Sequence, residues 1–174
     1  MRRLILLRHA KAVSSEGFRD FDRPLHERGV AAMPALGAWL ARQELAPERA
    51  LVSTSRRTRE TWELIAPLVG TGTKVVPEAR IYEARTSDVL ERVRATPDEI
   101  GLLMVVGHNP GLEELVQQLI GSGDGDARGK IARGFPPGAV AVLACPAETW
   151  SELRLATAEL LHFVTPDDLM AAGR

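Results

Sequence analysis

A chain of 174 residues is long enough for one domain with a sizeable core and too short for two comfortable ones. Hydrophobic residues at 45% and charged residues at 26% give the balance of an ordinary soluble globular protein, not of a disordered or membrane one. A formal net charge of −1 provides no global field to draw nucleic acid or anionic lipid, so any bound anion must be held by a local cluster of donors.

Leu4–Leu7 is wholly apolar, the pattern of a strand buried on both faces. The basic start Met1-Arg2-Arg3 before it resembles a leader, but Arg8 ends the apolar run too soon for a signal peptide, and a cytoplasmic location is expected. Glu27–Gln43 carries Val30, Met33, Leu36, Gly37 and Leu40 at helical spacing, with Pro34 predicting a kink or a restart. His26 is expected to start this helix. Ala50–Ser53 is a second short strand, followed by a helix near Arg57–Val69 with Thr61, Leu64, Ile65 and Leu68 inward. Ser53, Thr54 and Ser55 suit the cap of that helix, and Arg56 and Arg59 suit its solvated face.

Lys74–Val76 is a weaker strand and Ser87–Arg94 a helix with Val89, Leu90 and Val93 inward. Leu102–Val106 is the strongest strand. Pro110 then opens a helix with Leu112, Leu115, Val116, Leu119 and Ile120 as its inner stripe. Gly121–Gly129 is glycine-rich and polar and reads as a loop. Pro136-Pro137-Gly138 turns into a strand at Ala139–Ala144, and Glu152–Thr157 and Leu160–Val164 supply further strand-like pieces. The single cysteine, Cys145, follows an apolar run and reads as core, as do Trp39, Trp62 and Trp150 as packing aromatics and His162 as a core or edge histidine. Strands alternating with helices predict an α/β fold: one three-layer αβα domain, residues 1–174, with a mainly parallel central sheet.

In such sheets ligands bind beyond the carboxyl ends of the strands. The first strand delivers Arg8-His9, the second Ser53-Thr54-Ser55-Arg56-Arg57, and the strong strand Gly107-His108-Asn109-Pro110. Two of four histidines, with arginines, thus fall on one predicted edge. Guanidinium offers a charged planar fork that matches phosphate oxygens, and a neutral imidazole nitrogen is a competent nucleophile towards phosphorus. A metal is not expected, because the histidine pair lies amid arginines that repel a cation.

These residues resemble the histidine phosphatase superfamily, also called phosphoglycerate mutase-like. Leu6-Leu7-Arg8-His9-Ala10 is similar to its Arg-His-Gly signature, departing at the third residue, where alanine keeps the side chain small. Ser53, Arg57 and Thr61 match its second signature, and His108 after a late apolar strand matches the third. Asp22-Arg23-Pro24-Leu25 with Arg28-Gly29, and the short length, resemble the compact SixA-type phosphohistidine phosphatases. The resemblance implies that His9 is the phosphoacceptor, that Arg8, Arg57 and His108 form the phosphate pocket, and that Arg23 is a further substrate contact. It also implies a general acid from the middle of the chain. Glu83 lies in that region, Asp22 is a second candidate, and a site lacking an effective acid would favour substrates with a good leaving group. The implied activity is cofactor-free phosphatase chemistry on a phosphohistidine protein or a small phosphorylated molecule. A phosphoglycerate-type mutase and a non-catalytic phosphate-binding domain are the alternatives. The loops Ser14–Asp22 and Gly121–Arg133 are expected to choose the substrate.

Overall fold

The computed structural model describes residues 1–173 and contains seven strands in one mixed sheet. The strands are β1 (Arg2–Arg8), β2 (Arg49–Val52), β3 (Lys74–Pro77), β4 (Leu102–Gly107), β5 (Ile120–Gly123), β6 (Val140–Cys145) and β7 (Ala158–Val164), in the order β3-β2-β4-β1-β6-β7-β5. β3, β2, β4 and β1 run parallel, β6 is antiparallel to β1 and β7, and β5 pairs parallel with β7. The apolar runs read as buried strands occupy the centre: β1 pairs with β4 in the register Leu4↔Leu103 through Arg8↔Gly107.

Period-two alternation divides β1 between two cores. Leu4 and Leu6 face α3 (Thr86–Arg94) and α4 (Gly111–Leu119), packing with Val93, Leu115 and the fully buried Trp150. Ile5 and Leu7 face α1 (Glu27–Arg42) and α2 (Arg56–Val69), packing with Met33, Leu40 and Ile65. This is the three-layer αβα arrangement that the alternation of elements predicts. Cys145 is buried in the first core, where loss of hydration pushes its thiol up to about 12.

Several expectations need correction. α1 runs unbroken through Pro34, and Val30 is 41% exposed, because the inner stripe is set by Met33, Leu36, Gly37 and Leu40. Leu68 is 42% exposed, yet it lies over Gly37, where a Cβ would stand 2.7 Å from its Cδ1; α1 and α2 meet closely there. The segment read as the loop Gly121–Gly129 folds into β5 and α5 (Gly125–Arg133). Two of its glycines answer to close packing: a Cβ at Gly121 would sit 2.2 Å from the Ala156 carbonyl oxygen, and one at Gly123 2.7 Å from that of Leu160. Glu152–Thr157 is not a strand; a short 3-10 turn, Trp150–Glu152, occupies its start, and Trp150 Nε1 donates to the Ile100 carbonyl at 2.7 Å. The last described helix is α6 (Pro166–Ala172), and among the described residues no helix is long and apolar enough to cross a membrane.

Candidate active site

His9 follows β1 directly, and its backbone N–H donates to the Gly107 carbonyl at the end of β4. On the other side the Gly138 N–H reaches both the Arg8 and His9 carbonyl oxygens, in a turn whose φ of +77° favours glycine. His9 is 7% exposed. Its Nδ1 lies 2.7 Å from the Ala10 carbonyl oxygen, which can only accept, so Nδ1 carries the proton. The lone pair is therefore on Nε2, which faces Arg57 Nε at 3.4 Å.

Each position of the Ser53/Arg57/Thr61 pattern has its own work at this edge. Arg57 and Thr61, one turn apart on α2, share a face. Arg57 reaches the imidazole, while Thr61 Oγ1 accepts the Ala10 N–H at 3.0 Å and donates to the Arg57 carbonyl at 2.7 Å. Ser53, at the end of β2, does not cap α2: its Oγ is 2.7 Å from His108 Nε2. Ser55 holds the cap position, but its hydroxyl pairs with Thr58 Oγ1 rather than with a backbone N–H.

β4 delivers His108 beside His9, with ring centroids 5.3 Å apart. Arg57 Nη2 donates to His108 Nδ1 at 3.3 Å, which leaves the His108 proton on Nε2 towards Ser53. Arg8 donates through Nη1 to the Phe135 carbonyl. Burial is the main cause that pushes His9 down to about 4, with Arg57, Arg8 and Arg23 adding repulsion and the Ala10 carbonyl opposing. Burial likewise leads for His108, pushed down to about 3, followed by repulsion from His9 and Arg57, while Asp20 opposes. Both rings are neutral near pH 7.

Two residues of this cluster were not singled out in the sequence. Asp20, in the 3-10 turn Asp20–Asp22, accepts from Tyr82 Oη at 2.7 Å, Arg57 Nη2 at 3.1 Å and Arg23 Nη1 at 3.0 Å. Tyr82 also lies edge-on to His108, with centroids 5.6 Å apart. The Tyr82 hydrogen bond leads in holding the Asp20 carboxyl down to about 2, joined by the two guanidinium groups. As the chain's single tyrosine, Tyr82 was the available signal; Asp20 had none beyond its distance of three residues from Arg23.

The acid candidates from the sequence lie elsewhere. Asp22 is bound by Arg19 at 2.8 Å on the surface. Glu83 is exposed on the rim of a cleft of about 640 Å³ that His108 also lines, and no hydrogen bond joins it to the imidazoles or to Arg57. Arg23 joins the cluster through Asp20 and through Nε to the Val13 carbonyl. Arg56 and Arg59 are exposed, Arg56 pairing with Glu60. His26 caps α1 by accepting the Arg28 N–H, and His162 is half-buried against Trp39. No group of three or more His, Cys, Asp or Glu that could hold a metal occurs among the described residues.

Two neutral imidazoles and a buried guanidinium meet at the carboxyl edge of a mainly parallel sheet, an arrangement chemically able to hold an oxyanion beside an imidazole lone pair. The sequence model of the histidine phosphatase superfamily, branch 1, matches residues 4–89. An uncharacterized protein of Mycobacterium leprae is 35% identical over 92% of this chain and 99% of its own. The crystal structure of the "putative phosphohistidine phosphatase SixA" from Agrobacterium tumefaciens is similar at 32% identity and a TM-score of 0.79, covering 95% of this chain and 98% of that one. The protein of the same description from Nakamurella multipartitia is 33% identical with a TM-score of 0.81, over 95% and 96%. The chain belongs to the histidine phosphatase superfamily, and these two structural neighbours are both described as of the SixA type.

Proposed function

We propose that the protein is a phosphatase that hydrolyses a phosphohistidine or a small phosphomonoester through a phosphorylated His9. One observation carries the reading: the His9 lone pair is on Nε2, and that nitrogen faces Arg57 with His108 beside it. In the first step Nε2 attacks phosphorus, the N–P bond forms, and the bond to the leaving group breaks, the leaving atom keeping the electron pair. Arg57 and Arg8 bind the non-bridging oxygens and neutralise charge as it shifts. In the second step water attacks phosphorus and passes a proton to a phosphoryl oxygen, the N–P bond breaks, Nε2 regains its lone pair, and inorganic phosphate departs. His108, neutral in the free site, takes a proton from solvent as the phosphoryl dianion binds and becomes a donor to it.

Phosphohistidine is the favoured substrate because no carboxylate stands free beside the imidazoles to hand a proton to a leaving group. Asp20 and Asp22 are held by guanidinium groups, and Glu83 lies on the exposed rim. An alkoxide needs a proton to leave, whereas an imidazole leaves far more readily. The likeness to proteins described as phosphohistidine phosphatases supports the same choice.

The test is a hydrolysis panel of phosphohistidine peptide, aryl phosphate and sugar phosphate with wild type and His9→Ala, together with trapping of acid-labile phosphate on the protein. The expected result is a labelled wild type, an unlabelled variant, and the highest kcat/KM on phosphohistidine. Isomer production in place of phosphate release would indicate a mutase. Phosphate binding with no label and no turnover would indicate a binding domain.

A further inference from the structure

A second cleft, of about 590 Å³, opens beside the phosphate site and shares Arg8 with it. That volume suits a small ligand or a side chain with its flanking groups. Asn109, next in sequence to His108, also lines it, and donates through Nδ2 to Glu113 Oε2 at 3.0 Å and to the Phe135 carbonyl at 2.9 Å. Two buried polar atoms at this shared end, Arg8 Nε and Asn109 Oδ1, have no hydrogen-bond partner among the described residues. Such atoms are uncommon in folded proteins and occur where a ligand or solvent group completes the set. The rings of Phe135 and Phe163, with centroids 5.4 Å apart, stand in the apolar part of the wall.

The charges of the cleft are unequal once partners are matched. Lys130 Nζ lies 3.3 Å from Asp168 Oδ1. Glu113 supports the charge of Arg8, acting against the burial that lowers the Arg8 pKa. Arg133, on the last turn of α5, is exposed and forms no ion pair among the described residues. Its guanidinium folds back along the helix, so that a Cβ at Gly129 would stand 3.9 Å from Nη1. The cleft therefore carries one uncompensated positive charge, set apart from the phosphate clamp and on the helix that the sequence alone had suggested was a loop.

We propose that this cleft receives the leaving-group side of the phosphorylated substrate, and that Arg133 selects substrates bearing a second anionic group there. The proposal rests on the phosphatase reading for the identity of the bound molecule. The second anion is a carboxylate or phosphate, either on a small molecule or on an acidic side chain flanking a phosphorylated residue. Arg8 joins the two sites, since it lines the cleft and stands next to His9.

The decisive measurement is binding, which does not require turnover. Calorimetry compares 4-carboxyphenylphosphonate with phenylphosphonate on wild type, Arg133→Ala and Arg133→Glu. Wild type is expected to bind the carboxylated compound more tightly. The ratio of the two Kd values should shrink about fivefold in Arg133→Ala, the size of an exposed ion pair, and invert in Arg133→Glu. A parallel series of phosphohistidine peptides with Asp or Lys neighbours separates the two sources: a ratio shift in the peptides marks an acidic flank, and one in the small compounds alone marks a small anion. Equal ratios for all three proteins in both series overturn the proposal. Its failure is distinct from that of the phosphatase reading, which is decided by phospho-His9 formation in wild type.

Discussion

Asp20 holds the outer edge of the Arg57 guanidinium: Nη1 donates to the Asp20 carbonyl oxygen at 2.7 Å and Nη2 to its Oδ2 at 3.1 Å. The inner edge is left to the imidazoles, with Nε towards His9 Nε2 and Nη2 towards His108 Nδ1. A carboxylate so placed positions the fork without occupying its working face. With its pKa held near 2, it is an anion at neutral pH and no proton donor.

Asp20→Asn therefore separates positioning from binding. Loss of the charge-assisted bonds loosens Arg57, and kcat should fall about tenfold. Removal of a negative charge beside the site should leave the Ki of an inorganic oxyanion equal or lower. Steady-state kinetics with vanadate inhibition measures both. A raised Ki with unchanged kcat would falsify the positioning role.

Thr61 ties the loop after His9 to the helix that carries Arg57. Its hydroxyl is fully buried, accepting from the Ala10 N–H and donating to the Arg57 carbonyl. Thr61→Val keeps the shape and strands the Ala10 donor, at a cost of about 1–3 kcal/mol. Thr61→Ser keeps the hydroxyl and should cost less. Urea denaturation ranks the three proteins, and a valine variant as stable as wild type would mean that this link contributes nothing.

Much of this arrangement was legible because the apolar runs within β1, β2 and β4 end abruptly in Arg8-His9, Ser53 and Gly107-His108. Burial on both faces requires such runs, and a parallel sheet brings their ends to one edge. The residues that the pattern misses reach the site through loops. Asp20 and Asp22 are two residues apart, and the backbone of one 3-10 turn decides that the first meets Arg57 and the second meets Arg19. Tyr82 and Glu83 are adjacent, yet the tyrosine joins the cluster while the glutamate sits on the rim with a left-handed φ of +50°. β5 and α5 were hidden by glycines that propensity assigns to loops, although Gly121 and Gly123 are required by the close approach of Ala156 and Leu160.

The paired imidazoles make the free protein sensitive to acid. In the unfolded chain both take up protons near the ordinary value of 6.5, whereas the folded protein holds His9 neutral to about 4 and His108 to about 3. Over that interval the unfolded state binds more protons, so stability falls as pH drops from about 6.5 towards 4 and is level above about 7. Asp20, lowered from 3.8 to about 2, adds a further loss only below its ordinary value. Thermal unfolding from pH 8 to pH 4 should show this slope in wild type and a shallower one in His9→Ala. Equal slopes in the two proteins would place the sensitivity in other groups.

An oxyanion in the site is expected to reverse the balance at His108. Without one, burial and the neighbouring arginines keep the ring neutral, and Nδ1 accepts from Arg57. A dianion beside the ring supplies the opposite charge that favours the imidazolium form, and the protonated Nδ1 becomes a donor to it. Binding of tungstate, a dianion throughout this range, should then take up part of a proton near pH 7 and tighten as pH falls from about 8 to 6. Calorimetry in buffers of different ionisation enthalpy measures the uptake, and ¹⁵N chemical shifts assign it to a ring. A buffer-independent enthalpy, with His108 resonances unmoved by tungstate, would mean that this imidazole stays neutral and assists the phosphoryl group only as a dipole.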